Sequence, residues 1–318
     1  ELATIELPDP ADGEVLVRNH YMSVDPYMRG RMRDSKSYAP PFALGAPLNG
    51  HSVGEVVTPP DPDLKPGDAV AGFGGWRDRC IASGADLVRV DPTLAPLQTY
   101  RGTLGMPGMT AYVGLLDIGR PEKGQTVFVS AASGAVGSIV GQIAKIKGCH
   151  VVGVAGTDEK CRWIVDELGF DGAINYKTEN VDAALAKVCP LGVDVYFDNV
   201  GGVITDAVFD HLNVGARISI CGSISQYNQD EPEPGPRKMG LLVGKQARAQ
   251  GFLVGQFRNQ HEEGRQRIAG WIKEGRIKYR EDVVEGLENA PGAFIGLMRG
   301  ENFGKLLVRV SDDPTSRA

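Results

Sequence analysis

A strand, a turn of small residues and a helix follow one another at residues 125–147, and no other feature of the sequence constrains the fold as strongly. Residues 125–130 form a compact apolar run of strand length, and beyond the turn apolar residues recur at helical spacing as far as Lys147. A second apolar run, at residues 150–155, follows directly. This order predicts a β-α-β unit whose two strands lie parallel in one sheet.

The same alternation continues along the chain. A helical pattern at residues 159–168 precedes two further apolar runs, at residues 193–197 and 217–221. Continuous apolar runs are typical of parallel strands that are buried on both faces. The sequence therefore predicts an α/β fold with a doubly wound parallel sheet of the Rossmann type.

The first hundred residues have a different texture. Short apolar or alternating runs are separated by Pro, Gly and Asp, and these runs lie at residues 15–17, 54–57, 68–71 and 87–90. Such punctuation indicates a β-barrel or a β-sandwich. Because 318 residues also exceed what one small core can hold, we expect two domains.

A proline-rich segment interrupts the second region at residues 223–238. Its Pro-Glu-Pro-Gly-Pro run at residues 232–236 can form neither a helix nor an inner strand. The segment predicts a surface loop, which is either a lid over a site or a plain connector.

The turn after the first buried strand matches a dinucleotide-binding fingerprint. It reads Ala132-x-Gly134-x-x-Gly137, with Ala in place of the first Gly. Gly134 lets the backbone approach a pyrophosphate, and Gly137 lets the helix pack closely on the strand. The helix N-terminus, with Ala135 and Val136 just before it, offers N–H groups and a positive dipole end to an anion. We therefore expect a dinucleotide at this turn.

The residues after the second strand indicate which dinucleotide is used. NAD-specific sites place an acid at the end of this strand, whereas Gly156 stands here. Asp158 and Glu159 are close enough to serve instead, but both suit the first turn of the next helix, with Asp158 as its cap. Lys160 opposes the helix dipole; a 2′-phosphate would explain it, and a solvated lysine is the plainer alternative. The pattern favours NADPH over NADH.

Composition argues against several other partners. The net charge of −6 leaves no basic surplus for nucleic acid. The five cysteines are scattered without a Cys-x-x-Cys pair, which fits a reducing, cytoplasmic compartment. Apolar runs are too short to predict a membrane span. The chain begins at Glu1 without a signal peptide, and we expect its natural N-terminus to lie upstream.

The sequence does not predict a zinc site. Catalytic zinc needs Cys, His or carboxylate ligands around an open position, and structural zinc needs clustered cysteines. His51 stands in an Asn-Gly-His-Ser-Val-Gly segment without a following Glu, and the segment at residues 23–25 holds no Cys. The histidine is therefore interpreted as structural, and we expect no metal.

Several motifs in a fixed order carry a family resemblance. They are Ser-Val-Asp-Pro-Tyr-Met-Arg-Gly at 23–30, Gly-Met-Pro-Gly-Met-Thr-Ala-Tyr at 105–112, the turn at 130–137, Asn-Tyr-Lys at 175–177, Tyr-Phe-Asp-Asn-Val-Gly-Gly at 196–202, Cys-Gly-Ser-Ile-Ser-Gln-Tyr-Asn at 221–228 and Asn-Phe-Gly-Lys at 302–305. Over essentially its whole length the chain resembles the zinc-free alkenal/one reductases of the medium-chain dehydrogenase/reductase superfamily. That group includes prostaglandin reductases, plant double-bond reductases and bacterial curcumin reductase-like proteins, and the bacterial branch is the most similar.

The resemblance implies the domain plan. A GroES-like β-barrel catalytic domain would occupy residues 1–105, with residues 276–318 returning to it. An NADPH-binding Rossmann domain would occupy residues 106–275. A homodimer is also implied.

The resemblance further implies roles for single residues. Lys160 and Tyr176 would contact the NADPH phosphates, and Tyr27 and Tyr227 would line the substrate pocket. The other residues implied along the cofactor are Ala132, Gly134, Ala135, Val136, Gly137, Gly156, Asn199, Gly222, Ser223, Phe252, Val254, Asn302 and Gly304, with Tyr227 again beside them.

Plainer explanations stay open for some of these residues. Tyr27 could be a buried aromatic, Tyr176 an ordinary partly buried tyrosine, and Asn199 the cap of a helix that begins near Gly201. His51 departs from the family pattern, in which a small residue is expected. If His51 lines the cleft, its bulk would narrow the choice of substrate.

The activity implied is NADPH-dependent reduction of the C=C bond of an α,β-unsaturated aldehyde or ketone. Hydride would reach the β-carbon, and the negative charge that develops on the carbonyl oxygen needs a hydrogen-bond donor. Tyr227 is the candidate donor, the ribose 2′-OH could share the role, and Tyr227 or water would supply the α-carbon proton. A quinone oxidoreductase on the same fold and a non-enzymatic NADPH-binding protein are the alternatives.

Overall fold

The computed structural model describes residues 2–58 and 63–315. They form two compact units: unit 1 comprises Glu1–Gly105 and Glu281–Ala318, and unit 2 comprises Met106–Arg280. The sequence analysis placed the return to the first domain at residue 276, yet residues 276–280 belong to unit 2. Two hydrogen bonds explain the later boundary, because the Lys278 N–H donates to the Gln142 side-chain oxygen (2.7 Å) and the Gln142 amide donates to the Lys278 carbonyl (2.8 Å).

The first segment of unit 1 is built from short strands, as its punctuated apolar runs predict. Its elements are β1 (Glu14–Ser23), α1 (Met28–Arg31), β2 (Ser52–Thr58), β3 (Ala69–Gly72), β4 (Arg79–Ser83) and β5 (Val88–Arg89).

Unit 2 alternates strands and helices along a continuous stretch of chain. Its elements are α2 (Met106–Val113), β6 (Thr126–Val129), α3 (Gly137–Ile146), β7 (His150–Ala155), α4 (Asp158–Asp166), β8 (Gly172–Asn175), α5 (Val181–Val188), β9 (Val193–Asp198), α6 (Gly202–Asp210), β10 (Leu212–Ile220), α7 (Leu241–Lys245), β11 (Arg248–Gly251) and α8 (His261–Lys273). The chain then returns to unit 1 as β12 (Glu281–Glu285), α9 (Ala290–Met298) and β13 (Lys305–Arg309).

The strands of unit 2 form one parallel sheet in the order β11-β10-β9-β6-β7-β8. From β6 the chain proceeds outward through β7 and β8, and then crosses to β9 and proceeds the other way. All residues of β6 are buried. Phe128, Tyr196 and Ile218, from three strands of the sheet, pack together in one apolar core. This topology confirms the predicted doubly wound α/β fold.

The strands of unit 1 form a mixed sheet in the order β12-β13-β1-β2-β3-β5, and β4 also pairs with β1. The long strand β1 pairs antiparallel with β2, β4 and β13. Its pairing with β13 sets Tyr21 opposite Arg309, so the end of the chain completes the sheet that the beginning starts. Met22, Met28 and Phe294 lie in the apolar core beneath this junction.

The proline-rich segment is a surface loop, as predicted. A short 3-10 turn at Ile224–Gln226 precedes it, and residues 228–237 are all exposed. Within residues 2–58 and 63–315, the helices are all too short or too polar to cross a membrane.

Candidate functional site

Many of the residues singled out in the sequence lie at one edge of the unit 2 sheet. Because the strands are parallel, their carboxyl ends meet there, and each strand is followed by at least one of these residues. In chain order, β6 precedes Ala132, Gly134, Ala135, Val136 and Gly137; β7 precedes Gly156 and Lys160; β8 precedes Tyr176; β9 precedes Asn199; β10 precedes Gly222, Ser223 and Tyr227; and β11 precedes Phe252 and Val254. Ligands of doubly wound sheets bind beyond this edge, where the strand order reverses, which here is between β6 and β9.

The turn between β6 and α3 is unusually tight. Ala131 adopts a positive φ of 49°, which residues other than glycine rarely do. A Cβ at Gly137 would lie only 2.4 Å from the Ala131 carbonyl oxygen, and one at Gly134 would lie 3.2 Å from it. Only glycine therefore fits at residue 137, and the N-terminus of α3 begins directly at the turn. Exposed backbone and a positive helix end at the same place fit the pyrophosphate of a dinucleotide.

A buried carboxylate, Asp198, holds the next loop in place. Its side chain is only 3% exposed. Neutral groups donate hydrogen bonds to it: the hydroxyls of Tyr196 (2.8 Å), Ser130 (3.2 Å) and Thr205 (2.6 Å) and the backbone N–H groups of Val200 and Gly201 (2.9 Å each). No role was predicted for this residue. The available signal was an Asp at the end of a buried strand, three residues before a Gly pair.

Asn199 ties the ends of two neighbouring strands together. Its backbone N–H donates to the Ser130 hydroxyl and its side-chain amide donates to the Ser130 carbonyl, both at 2.8 Å. The alternative that Asn199 caps α6 is wrong, because Gly201 occupies the N-cap position and its N–H bonds to Asp198. The structure thus holds Asn199 at the β6–β9 switch point.

The start of α4 differs from the expectation in one detail. Thr157, and not Asp158, caps this helix, and its hydroxyl accepts the Lys160 N–H at 3.2 Å. The Asp158 carboxylate instead accepts a hydrogen bond from the side-chain amide of Asn175 at 2.6 Å. Asp158 can do so because β7 and β8 are paired, with Ala155 opposite Asn175.

The Tyr176 ring covers Gly156, where an NAD-specific site would carry its acid. A Cβ at Gly156 would lie 3.1 Å from the Tyr176 ring and hydroxyl. The tyrosine side chain is 44% exposed, which agrees with the alternative of an ordinary partly buried tyrosine as well as with a contact to the cofactor. A side chain at residue 156 would therefore push the Tyr176 ring by a few tenths of an ångström.

Tyr227 packs against the turn that follows β10. The Ser223 N–H donates to the Tyr227 hydroxyl oxygen at 3.3 Å, and a Cβ at Gly222 would lie 2.9 Å from the same oxygen. Burial raises the pKa of Tyr227 above its ordinary value. The phenol is therefore protonated at neutral pH, and with its oxygen accepting from the backbone, its own O–H can donate elsewhere.

The segment after β11 is fixed by aromatic packing. Phe252 is buried and meets Phe197 edge-on, with ring centroids 6.3 Å apart. A Cβ at Gly114 would lie 2.4 Å from the Phe252 ring, so glycine is needed for this contact. The backbone from Phe252 to Val254, where a 3-10 turn begins, is thereby held at the carboxyl edge of the sheet.

Tyr27, Asn302 and Gly304 belong to unit 1 and not to the group at the unit 2 sheet edge. The Tyr27 hydroxyl is buried and lacks a hydrogen-bond partner among the described residues. Burial, with a further contribution from Asp25, raises the pKa of Tyr27 above its ordinary value. The Asn302 amide donates to the Gly304 carbonyl at 2.9 Å, and Gly304 adopts a positive φ of 73°.

A buried ion pair lies beside Tyr27 in unit 1. The Lys305 ammonium donates to Asp25 Oδ1 and to the Val24 carbonyl, both at 2.9 Å, and the Ser23 hydroxyl donates to Asp25 Oδ2 at 2.5 Å. Burial alone would raise the pKa of Asp25, but Lys305 and Ser23 outweigh it and the pKa is lowered. The sequence analysis missed this pair, whose members are 280 residues apart.

His51 lies near the same pair and is neutral. Burial, reinforced by the Arg101 charge, lowers its pKa to about 4. Its ring meets Phe73 edge-on at 5.0 Å between centroids. Among the residues that the structure describes, no group of three or more His, Cys, Asp or Glu side chains is placed to bind a metal ion.

Comparison with known proteins supplies the wider context. Residues 1–90 match the family model described as the N-terminal domain of oxidoreductase, and residues 135–270 match that of the zinc-binding dehydrogenase. The chain is 48% identical to the NADPH-dependent curcumin reductase of Escherichia coli, over 97% of this chain and 91% of the relative. It is 46% identical to the NADP(+)-dependent 2-alkenal reductase of Nicotiana tabacum, over the same shares of the two chains, 97% and 91%.

A solved structure shows the same fold over almost the whole length. CurA from Vibrio vulnificus, in complex with NADPH, has a TM-score of 0.94 and 45% identity, and the match covers 98% of this chain and 94% of that one. The fold of each unit is therefore shared with this solved structure.

Proposed function

The chain belongs to the alkenal reductase group of the medium-chain dehydrogenase/reductase superfamily, and we propose that it reduces the C=C bond of α,β-unsaturated aldehydes and ketones. It is an NADPH-dependent oxidoreductase, as the sequence analysis predicted. The observation that carries the substrate class is the near-full-length similarity to both a curcumin reductase and a 2-alkenal reductase. Each of these names denotes a substrate with a double bond conjugated to a carbonyl.

The carboxyl edge of the unit 2 sheet supports the placement of the cofactor. The turn at Gly134–Gly137 would receive the pyrophosphate, because its glycines pack closely on the Ala131 carbonyl and bring the N-terminus of α3 to this edge of the sheet. Lys160 and Tyr176, after β7 and β8, would hold the 2′-phosphate. Asn302 and Gly304 of unit 1 are further residues that we propose lie along the cofactor.

When bound, NADPH supplies the hydride that reaches the β-carbon of the acceptor. The protein must then stabilise the negative charge that develops on the carbonyl oxygen. Tyr227 is suited to this role, because its oxygen accepts the Ser223 N–H and its proton can point to an acceptor. Its raised pKa keeps that proton in place. We propose that Tyr227 donates a hydrogen bond to the enolate oxygen.

Tyr27 is proposed to line the substrate pocket. Its buried hydroxyl has no hydrogen-bond partner among the described residues, and a buried donor without an acceptor is unfavourable. A carbonyl oxygen of the substrate would satisfy it. His51, neutral and partly buried in the same unit, would add bulk without charge.

The role of Tyr227 is tested with Tyr227→Phe. Loss of one donor to a developing oxyanion lowers kcat roughly 100- to 1,000-fold, whereas the dissociation constant for NADPH should change less than about twofold. Single-turnover reduction of a 2-alkenal measures the first quantity and titration calorimetry the second. Tyr112→Phe is the matched control, because the Tyr112 hydroxyl bonds to Arg267 and not to the sheet edge. An unchanged single-turnover rate would remove Tyr227 from the mechanism.

The substrate class is tested by NADPH consumption with a 2-alkenal, an aryl enone such as curcumin, and a quinone, with NADH in parallel. We expect saturated ketone or aldehyde as the product and faster turnover of the enones than of the quinone. If the protein reduces only the quinone, the alternative of a quinone oxidoreductase replaces the proposed enone reductase. Binding of NADPH without turnover of any acceptor would contradict the substrate class altogether.

A further inference from the structure

The acid nearest to the expected NAD-type position is already engaged by a buried amide. Asp158 is the first residue of α4, and its carboxylate Oδ1 lies 2.6 Å from the side-chain nitrogen of Asn175. Asn175 is the last residue of β8 and only 5% exposed, whereas Asp158 is exposed. A buried, rigid donor thus holds a carboxylate that would otherwise move freely on the surface.

The orientation of the Asn175 amide is fixed by its other bonds. Its side-chain oxygen accepts the Lys177 N–H at 3.1 Å, so its nitrogen must face Asp158. Its backbone N–H donates to the Glu179 carboxylate at 2.7 Å. Asn175 is therefore clamped at the turn after β8, and it presents a donor and not an acceptor to Asp158.

The position of this carboxylate matters because of charge. In NAD-binding Rossmann sites an acid after the second strand accepts a hydrogen bond from the ribose 2′-OH. The same acid would repel a 2′-phosphate, which carries up to two negative charges. Asp158 follows β7 by three residues and Lys160 by five, so both signs of charge lie within reach of one ligand group.

We propose that Asn175 is a specificity-determining positioning residue, which holds Asp158 toward β8 and so prevents its carboxylate from competing with Lys160 at the 2′-position. Asn175 touches neither ligand nor reacting atoms in this role and acts through Asp158. The inference rests on the use of NADPH and not on the proposed substrate class, so failure of one leaves the other intact.

The test is the binding of NADPH and NADH to the intact protein without any acceptor, measured by titration calorimetry. Asn175→Ala removes the donor and frees the Asp158 carboxylate. The ratio of the NADH to the NADPH dissociation constant should fall about tenfold, because NADPH is repelled and NADH gains a hydrogen-bond acceptor. An unchanged ratio would overturn the proposal.

A double variant separates this role from a merely structural one. In Asn175→Ala/Asp158→Asn the freed side chain carries no charge, so NADPH affinity should return to within about twofold of the parent, a difference below 0.5 kcal/mol. Asp158→Asn alone should bind NADPH at least as tightly as the parent. If the double variant binds NADPH as weakly as Asn175→Ala, the effect comes from distortion of the β8 turn and the proposal is wrong.

Discussion

The two units bury a carboxylate in different ways. Asp198 in unit 2 and Asp25 in unit 1 are each 3% exposed. Asp198 is surrounded by neutral donors, among them the hydroxyls of Tyr196 and Thr205. Asp25 is matched by a full positive charge, the Lys305 ammonium at 2.9 Å. The charge of Asp198 is thus stabilised by several neutral donors, whereas the charge of Asp25 is balanced by one cation, with the Ser23 hydroxyl as its further donor.

The difference also concerns distance along the chain. The donors to Asp198 come from β9 itself, from the loop and helix α6 that follow it, and from the neighbouring strand end at Ser130, so they fix a local turn at the sheet edge. Lys305 reaches Asp25 across 280 residues of sequence and joins β13 to the end of β1. We therefore expect damage at Asp198 to be local and damage at Asp25 to affect all of unit 1.

The largest effect is expected from Lys305→Met. Removing the ammonium leaves Asp25 charged and buried, which destabilises a protein by about 3–5 kcal/mol. Urea unfolding monitored by fluorescence and circular dichroism measures the loss. The double variant Asp25→Asn/Lys305→Met is the control and should regain most of the stability. A loss below about 1 kcal/mol in the single variant would show that the ion pair is not decisive for unit 1.

Glu281→Gln should have an effect of intermediate size and should raise the free energy of unfolding instead of lowering it. Glu281 lies opposite Lys305 in the β12–β13 register, and burial raises its pKa to about 7 although Lys305 counteracts the rise. Because the folded-state pKa of Glu281 lies above its ordinary value of 4.5, ionisation opposes folding, and stability falls as the pH rises from 4.5 to about 7. The variant escapes this loss, so it should be more stable than the parent by up to about 2 kcal/mol at pH 8.

The Glu281→Gln variant and the parent protein should be almost equally stable at pH 4.5, where the Glu281 carboxyl of the parent is protonated in the folded state. Urea unfolding at both pH values measures the difference. Asp282→Asn, at the next position of β12, is the matched control for loss of one acidic group. A stability difference that does not change with pH would contradict the assignment of the raised pKa to Glu281.

The smallest effect is expected from Thr205→Val. This variant removes one neutral donor at 2.6 Å from Asp198 and keeps the others, so the loss should be about 1 kcal/mol. Thr205→Ser retains the hydroxyl and is the control for the shape of the side chain. Thermal unfolding suffices for the comparison. A loss as large as that of Lys305→Met would show that the donors to Asp198 act as one cooperative network.

Local patterns predicted the parts of the molecule that depend on local physics. The apolar runs gave β6, β7, β9 and β10, and the small-residue turn placed Gly137 at the start of α3. The short strands β8 and β11 were missed, because Gly172–Asn175 and Arg248–Gly251 are not continuously apolar. Their strand conformation is stabilised by pairing with neighbours and not by their own composition.

Pairings over long sequence separations were beyond prediction. No pattern near Asp25 indicates that Lys305 is its partner. Likewise, no pattern near Asp158 indicates that the Asn175 side-chain amide donates a hydrogen bond to its carboxylate. The predicted cap of α4 was one residue late because Thr157 and Asp158 are both good caps, and the extended backbone of Thr157 decides between them. The roles of the single residues along the cofactor stay predictions.

The pairing of β1 with β13, together with the Lys305–Asp25 ion pair, has a consequence for folding during synthesis on the ribosome. Met106–Arg280 is one continuous stretch, so unit 2 can fold as soon as it has emerged. Strands β1 to β5 emerge before unit 2. Their contacts with Lys305 and with β13, which pairs with Tyr21 and Met22, can form only after the chain beyond unit 2 has been translated. The strands that precede unit 2 in the chain therefore complete their sheet only after unit 2 has been made, and contacts of such long range slow that step.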